Sequence, residues 1–216
     1  SREDINDAML SMNFKCFDEL PNGARVGTTS LRRRMQLLAL RPDLEIISLR
    51  GNVNSRIAKL KDGEFDAIIL AMAGINRLDL SKEVNYVSVL NTIAAMGQGA
   101  LGIEAVDRAD ILEAIEFLND EKSVIETTIE RAFVHKLNGG CQAPIGVSAR
   151  LDGDKISVKA ILGTPDGKEI LKDERVFNKA EYKEAGEILA NEFIAKGAKE
   201  LLAKAEQIAS QIWAIK

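Results

Sequence analysis

The residues best suited to chemistry in this chain are a cysteine in a glycine-rich stretch and a dense set of arginines. Cys141 lies in NGGCQAPIG, residues 138–146, and the only other cysteine is Cys16. Two such cysteines make neither a disulfide framework nor a zinc-ligand pattern. The chain has a single histidine, His135, so the sequence gives little support to cysteine–histidine or serine–histidine catalysis. Spacing alone leaves two readings of Cys141 open, an accessible reactive thiol and a small buried side chain.

The arginines are concentrated between Arg25 and Arg56. This segment holds seven arginines, no lysine and two acids, so its charge is +5 in a chain whose net charge is −4. The planar guanidinium of arginine holds carboxylate or phosphate in a fixed geometry, whereas general attraction to nucleic acid would accept lysine equally well. The segment therefore predicts a site for a ligand that bears several carboxylates or phosphates.

The elements that position these arginines alternate between strand and helix. Residues 25–28 and 44–50 are predicted strands, each followed by a helix, and residues 66–71 are a buried third strand before a short helix. Ligands of open α/β sheets bind outside the carboxyl ends of the strands, so the arginines that follow these strands are expected to meet at one edge. They are Arg32, Arg33, Arg50, Arg56 and Arg77.

The stretch GTTSLRRR, residues 27–34, stands at the first strand-to-helix junction. Ser30 is a good N-cap, and the free N–H groups at a helix start attract anions. Arginines in the first turn oppose the helix dipole unless an anion lies there. A solvated basic turn is the alternative interpretation.

The second half of the chain follows a different pattern. A long helix is expected over residues 121–140, stopped by Gly139 and Gly140, and three strands over 144–151, 155–163 and 168–177. Helical sequence follows from about residue 180, interrupted at Gly197. We therefore predict a binding-protein-like α/β domain with a mostly parallel sheet, and a C-terminal α+β domain with a small antiparallel sheet. The predicted boundaries are 1–95 for the first domain, 96–120 for a crossover with a short strand, and 121–216 for the second.

Composition and local signals exclude several classes of protein. No apolar run is long enough to span a membrane, and the first ten residues are charged where a secretory signal is apolar. The loop MGQGALG, residues 96–102, lacks the lysine of a P-loop and the spacing of a dinucleotide site, which favours a hinge. A cytoplasmic protein with no membrane partner and no metal site is expected.

Four stretches together resemble the porphobilinogen deaminase family. They are GTTSLRRRMQL, RPDLEIISLRGNVNSRIAKLKDGEFDAIILAMAGINRL, MGQGALGIE and ERAFVHKLNGGCQAPIG. The resemblance implies a transferase of haem biosynthesis that joins four porphobilinogen units into the linear tetrapyrrole hydroxymethylbilane and releases ammonia. It also implies a dipyrromethane cofactor held by a thioether to Cys141. Cofactor contacts would come from Thr28, Ser30, Arg32, Arg33, Arg50 and Gly51, and substrate contacts from Arg50, Arg56 and Arg77.

One motif of the family is not found in these 216 residues. The family carries an HSMKD-like motif, whose aspartate supports the positive pyrrole nitrogen, in an N-terminal stretch that has no counterpart here. We therefore expect a truncated, inactive portion of an enzyme that is a monomer at full length, with no catalytic residue in this chain. Two alternatives remain, a noncatalytic anion-binding module and a nucleic-acid binder that uses the run 32–34. The negative charge of the chain outside residues 25–56 and the aromatic content of 5% disfavour a nucleic-acid binder.

Overall fold

The structure, a computed structural model, describes residues 1–140 and 142–214, with side chains as far as Ile212. Its first part is built on one five-stranded sheet, with the order β3-β2-β4-β1-β5. The strands are β1 (Asp7–Ser11), β2 (Arg25–Gly27), β3 (Glu45–Ile47), β4 (Ala67–Ala71) and β5 (Tyr86–Val89).

Four of these strands run in one direction, and β1 runs against them. β2 pairs in parallel with β3 and β4, whereas β1 pairs antiparallel with β4 on one side and β5 on the other. The sequence pattern does not predict β1, because DAMLS is short and begins with an acid. All five of its residues are buried, since the strand has a neighbour on each side.

Three helices follow the parallel strands, as the alternating pattern predicts. They are α1 (Leu31–Leu40), α2 (Val53–Lys61) and α3 (Met72–Arg77). The side chain of Ser30 caps α1 by accepting from the amide of Arg33, and Asn52 caps α2 by accepting from the amide of Ser55. The first turns of the helices therefore lie along the carboxyl edge of β2, β3 and β4, where the arginines were expected.

The segment that joins the two halves differs from the prediction. It holds one short α-helix, α4 (Ala109–Ile115), and a 3-10 turn, Glu116–Leu118, and neither buries any of its residues. The short strand expected near Leu101 and Ile103 is not formed, and these side chains are 74% and 59% exposed. A strand requires partners for its backbone N–H and C=O groups, and none of the described strands pairs with this segment.

The C-terminal half has the helices and the antiparallel sheet that the sequence predicts. Its strands β6 (Ile145–Asp152), β7 (Lys155–Gly163) and β8 (Ile170–Asn178) pair in that order. Its helices are α5 (Glu121–Lys136), α6 (Tyr182–Ala195) and α7 (Ala198–Ala214). Phe133 of α5 and Phe193 of α6 are fully buried and meet edge to face, with ring centroids 5.2 Å apart. This aromatic pair lies in the core between the helices and the sheet.

The end of α5 shapes the glycine-rich stretch that contains Cys141. The left-handed residue is Asn138, with φ of 52°, and not one of the two glycines as expected. The amide of Asn138 donates to the carbonyl of His135, and the amide of Gly139 donates to the carbonyl of Val134. Asparagine tolerates the left-handed region because its short polar side chain can bond locally, and these two bonds form a Schellman motif.

The two halves touch through backbone as well as side chains. The amide of Val147 in β6 donates to the carbonyl of Ala94, at 2.9 Å. The β7–β8 turn reaches α1, where Gly167 lies against the helix backbone. In the part of the chain that the structure describes, no helix combines the length and the apolar character needed to cross a bilayer.

Candidate anion-binding site

The start of α1 is built to present its first turn at the sheet edge. Thr28 follows β2 directly and is buried, and its Oγ1 accepts from the amide of Ser30 at 3.2 Å. The Ser30 hydroxyl in turn accepts from the amide of Arg33 at 3.4 Å. These bonds order the turn, and the remaining N–H groups of the helix start make it attractive to an anion.

Arg32 and Arg33 share one carboxylate, that of Asp7 in β1. Arg32 contacts Asp7 Oδ2 through Nη1 at 2.6 Å, and its side chain is 5% exposed. Arg33 contacts Asp7 Oδ1 through Nε at 3.0 Å and Nη2 at 2.8 Å, and its side chain is 13% exposed. The two arginines expected on an open rim are therefore largely enclosed by the protein.

The environment of Asp7 favours its charged form. Burial acts to raise the pKa of this carboxyl, but the charges of Arg32 and Arg33 and the hydrogen bonds from Arg32 and Gln98 outweigh it, and the pKa falls to about 2. Burial also lowers the pKa of Arg33, with Asp7 acting in the opposite direction. Two guanidinium groups against one carboxylate leave a net positive charge at this place.

Arg50, Gly51 and Arg56 form the next part of the edge, between β3 and α2. Gly51 has φ of 115°, which disfavours any residue with a Cβ, and its carbonyl accepts from Arg56 Nε at 2.9 Å. Arg50 is exposed, and no side-chain hydrogen bond or ion pair holds it among the described residues. Arg50 is thus available to a ligand. Arg56 is held through Nε, and its two terminal nitrogens are available to a ligand.

Arg77 lies at the end of α3 and is exposed. Its charge helps to lower the pKa of Glu3, behind the larger contributions of a backbone hydrogen bond from Asp4 and one from the Asn76 side chain. Arg77 lines neither of the two cavities described next, so the structure does not bring it together with the start of α1.

Two cavities share Ser30, the N-cap of α1. The inner cavity, about 230 Å³, is lined by Ser30, Arg32, Arg33, Met96, Gln98 and Gly140, among others. The rim cavity, about 550 Å³, is lined by Thr28, Ser30, Arg34, Ser48, Arg50 and Ile212, among others. The inner cavity therefore lies between α1, the 95–98 loop and the stretch that leads to Cys141.

Cys141 itself lies outside the described residues, whereas Gly140 and Gln142 on either side of it are described. Gly140 and Ala143 both line the inner cavity. Gly139 is packed so closely that a Cβ there would lie 2.5 Å from Ile145 Cδ1, which holds the stretch against β6. Gly140 shares the inner cavity with Ser30 and Arg33, and Gly140 and Gln142 together line a larger neighbouring cavity of about 620 Å³. The basic and hydroxyl groups of Arg33 and Ser30 fit a covalent dipyrromethane, whose pyrroles carry acetate and propionate groups.

The residues that sequence reasoning missed are those that hold the arginines. Asp7 is one, and Gln98 is another, since its Nε2 donates to Asp7 Oδ1 at 3.0 Å and its Oε1 accepts from Arg32 at 3.3 Å. Gln98 lies within the loop interpreted as a hinge. In the sequence, Asp7 is only an acid at the start of a short apolar run, and this pattern does not identify the residues that pair with it.

The fold and the site define a class of protein with an α/β half, an α+β half and a basic, hydroxyl-lined cavity between them that suits a carboxylate-rich ligand. The comparisons agree with this class. The family described as porphobilinogen deaminase, dipyromethane cofactor binding domain, matches residues 1–114, and porphobilinogen deaminase, C-terminal domain, matches residues 124–195. The chain belongs to the porphobilinogen deaminase family, enzymes that make hydroxymethylbilane in tetrapyrrole biosynthesis.

Individual relatives support the same assignment. The porphobilinogen deaminase of Campylobacter fetus subsp. fetus is 73% identical over 208 residues, which cover 96% of this chain and 69% of that protein. The enzyme of Campylobacter jejuni subsp. jejuni is 64% identical over 210 residues, with 96% and 68% covered. A Salmonella typhimurium periplasmic binding protein of known structure is 17% identical, with a TM-score of 0.35 over 57% of this chain and 56% of its own, too low to bear on function. The family, the enzyme class and the dipyrromethane cofactor expected from the motifs are thus confirmed.

Proposed function

We propose that the dipyrromethane cofactor is attached to Cys141 and extends from the inner cavity to the rim, with contacts from Ser30, Arg32 and Arg33 in the inner cavity and from Thr28, Arg50 and Gly51 along the rim. The observation that carries this proposal is the position of Arg33 and Ser30 on the wall of a cavity that Gly140 also lines. When bound, the cofactor supplies the pyrrole end to which further units are joined. The residues of this chain bind and orient its carboxylates.

The rim arginines have a related part in the proposal. Arg50 lines the rim cavity beside Thr28 and Ser30, and its exposed guanidinium can form two parallel hydrogen bonds with a carboxylate. Arg56 can contribute its terminal nitrogens, because only its Nε is held by Gly51. Arg77 would reach substrate carboxylates farther along the same edge. Porphobilinogen and the growing chain are polyanions, so successive arginines along the edge would guide them.

We further propose that these 216 residues alone do not polymerise porphobilinogen. A carboxylate beside the pyrrole nitrogen stabilises the positive charge that develops when ammonia leaves, and the family's motif for it is not among these residues. Asp7 contacts two residues that line the inner cavity, but both of its oxygens accept from Arg32, and it also meets Arg33, Gln98 and Thr92. It is therefore saturated and cannot face a pyrrole.

The experiment compares the 216-residue chain with a version extended at its N-terminus by the family segment that carries the HSMKD-like motif. Each purified protein is given porphobilinogen, and ammonia and tetrapyrrole are followed. We expect turnover only from the longer protein. Turnover by the 216 residues near that of the longer protein would show that one of their own carboxylates stabilises the charge.

Location, assembly and partners complete the proposal. The enzyme acts in the cytoplasm as a monomer, with porphobilinogen as substrate and no nucleic-acid partner. Its biosynthetic family supports the location, and the pairing of Arg32 and Arg33 with Asp7 leaves them poorly placed for a phosphate backbone. The division into residues 1–95, 96–120 and 121–216 stays a prediction. Light scattering of the natural-length protein, with and without duplex DNA, tests the assembly and the partner.

A further inference from the structure

Arg32 and Arg33 both contact the carboxylate of Asp7, but contacts within the protein use more N–H groups of Arg32 than of Arg33. A guanidinium has five N–H donors. Arg32 uses both donors of Nη1, on Asp7 Oδ2 and the carbonyl of Ile93, and both donors of Nη2, on Asp7 Oδ1 and Gln98 Oε1. Only its Nε–H is left. Arg32 is thus consumed by contacts within the protein.

Arg33 has more N–H donors left for a ligand. Its Nε and Nη2 contact Asp7 Oδ1, and its Nη1 donates to the carbonyl of Ile69 at 3.0 Å. One N–H on each terminal nitrogen is therefore left over. The Arg33 side chain is also more exposed than that of Arg32, 13% against 5%, and it lines the inner cavity. The two residues are neighbours in sequence, yet Arg33 keeps two terminal N–H groups for a carboxylate in the cavity, whereas Arg32 keeps only its Nε–H.

We propose that Asp7 is a positioning residue that fixes Arg33 with two N–H groups directed to the inner cavity, while Arg32 serves as the buried counter-charge of Asp7. This inference rests on the proposed function of the cavity. Asp7 is suited to the task because it is fully buried in β1, between β4 and β5, where its backbone cannot shift. A rotamer-rich guanidinium that is already held in place loses less conformational entropy when it binds its ligand.

The test measures cofactor loading in the natural-length enzyme. The protein is produced in a host that makes no porphobilinogen, then incubated with porphobilinogen, and the adduct is followed over time by intact mass. Asp7→Asn keeps the shape of the side chain but removes the charge that holds Arg33, so loading should slow by about tenfold. Ser11→Ala is the matched control, because it removes a buried polar group from the same strand, whose hydroxyl bonds the carbonyl of Asp66. It should load like the parent.

A double-mutant cycle shows whether Asp7 acts through Arg33. Arg33→Leu should slow loading at least as much as Asp7→Asn, and adding Asp7→Asn to Arg33→Leu should slow it by less than about twofold more. Additive losses would overturn the inference. Normal loading of Asp7→Asn alongside slow loading of Arg33→Leu would overturn it as well, with the site assignment intact. Normal loading of Arg33→Leu would instead sink the site assignment itself.

A charge-matched variant separates positioning from net charge and protects the test against misfolding. Asp7→Asn combined with Arg32→Met has the same net charge as the parent and leaves no unpaired Arg32 in the interior. It should fold, and it should load as slowly as Asp7→Asn, because Arg33 still lacks its anchor. Loading at the parental rate would show that only the balance of charge matters and would contradict the inference.

Discussion

Arg2 Nη2 lies 2.8 Å from Glu130 Oε2, although one residue stands at the start of the chain and the other in α5. The Arg2 side chain is 5% exposed and that of Glu130 is fully buried. The same carboxylate also accepts from the amides of Gly97, at 2.7 Å, and Ala149, at 2.9 Å. One ion pair therefore joins the first segment, the 95–98 loop, α5 and β6.

Breaking this pair should destabilise the protein strongly. Arg2→Gln leaves Glu130 buried without its cation, and removing one partner of a buried pair typically costs about 3–5 kcal/mol. The matched control is Arg108→Gln, which removes an exposed pair with Asp110 and should change the free energy of unfolding far less, because exposed ion pairs contribute little to stability. Denaturant unfolding of both variants gives the comparison. Equal free energies of unfolding would mean that the Arg2 pair does not hold the halves together.

The buried Asp7 should make stability depend on acid pH. Its pKa is about 2 in the folded protein, below the ordinary value of a free aspartate near 4. Its contribution is fully present above the unfolded pKa, and it is lost as the pH falls from about 4 towards 2. The loss should be about 2–3 kcal/mol. Unfolding free energies measured between pH 5 and pH 2 should fall less steeply for Asp7→Asn than for the parent, and parallel curves would contradict the assignment.

The β7–β8 turn should be sensitive to a single methyl group. Gly167 has φ of 73°, and a Cβ there would lie 2.5 Å from the amide nitrogen of Ala39 in α1. Gly153, with φ of 55°, has no atom within 4 Å of the same point. Gly153→Ala should cost only the backbone strain, about 1–2 kcal/mol. Gly167→Ala should cost about 1–3 kcal/mol more, because the turn must move off the helix.

Thermal and denaturant unfolding of the two alanine variants measure this difference. Equal destabilisation would mean that the turn does not bear on α1 in solution.

The sequence predicts features that depend on residues close together in the chain. It does not predict contacts between residues that are far apart in the chain. Ser30 as a cap, and the arginines at strand ends, depend on local periodicity, so the pattern suffices. The pairing of Asp7 with Arg32 spans 25 residues and depends on β1 entering the sheet between β4 and β5, which no local signal announces. The left-handed Asn138 was missed because two glycines follow it and are the commoner choice.

The rim arginines should respond to a change that keeps their charge. Arg50→Lys and Arg56→Lys remove the planar fork, and a hydrogen bond to a charged group is worth about 1.5–3 kcal/mol, so elongation should slow by about tenfold to hundredfold. Arg108→Lys, on an exposed arginine outside the edge, is the control. The measurement is the rate of tetrapyrrole formation by the natural-length enzyme. Unchanged rates in both rim variants would remove them from the site.

The most direct test of the account is the mass of the natural-length enzyme carrying Cys141→Ser, beside the parent and Cys16→Ser. Gly140, Arg33 and Ser30 line the same cavity, which is why we propose that a cofactor bound there is attached at the neighbouring Cys141. We predict the dipyrromethane adduct on the parent and on Cys16→Ser, and its complete absence on Cys141→Ser. An adduct of normal mass on Cys141→Ser would show that the cofactor is anchored elsewhere and would contradict the account.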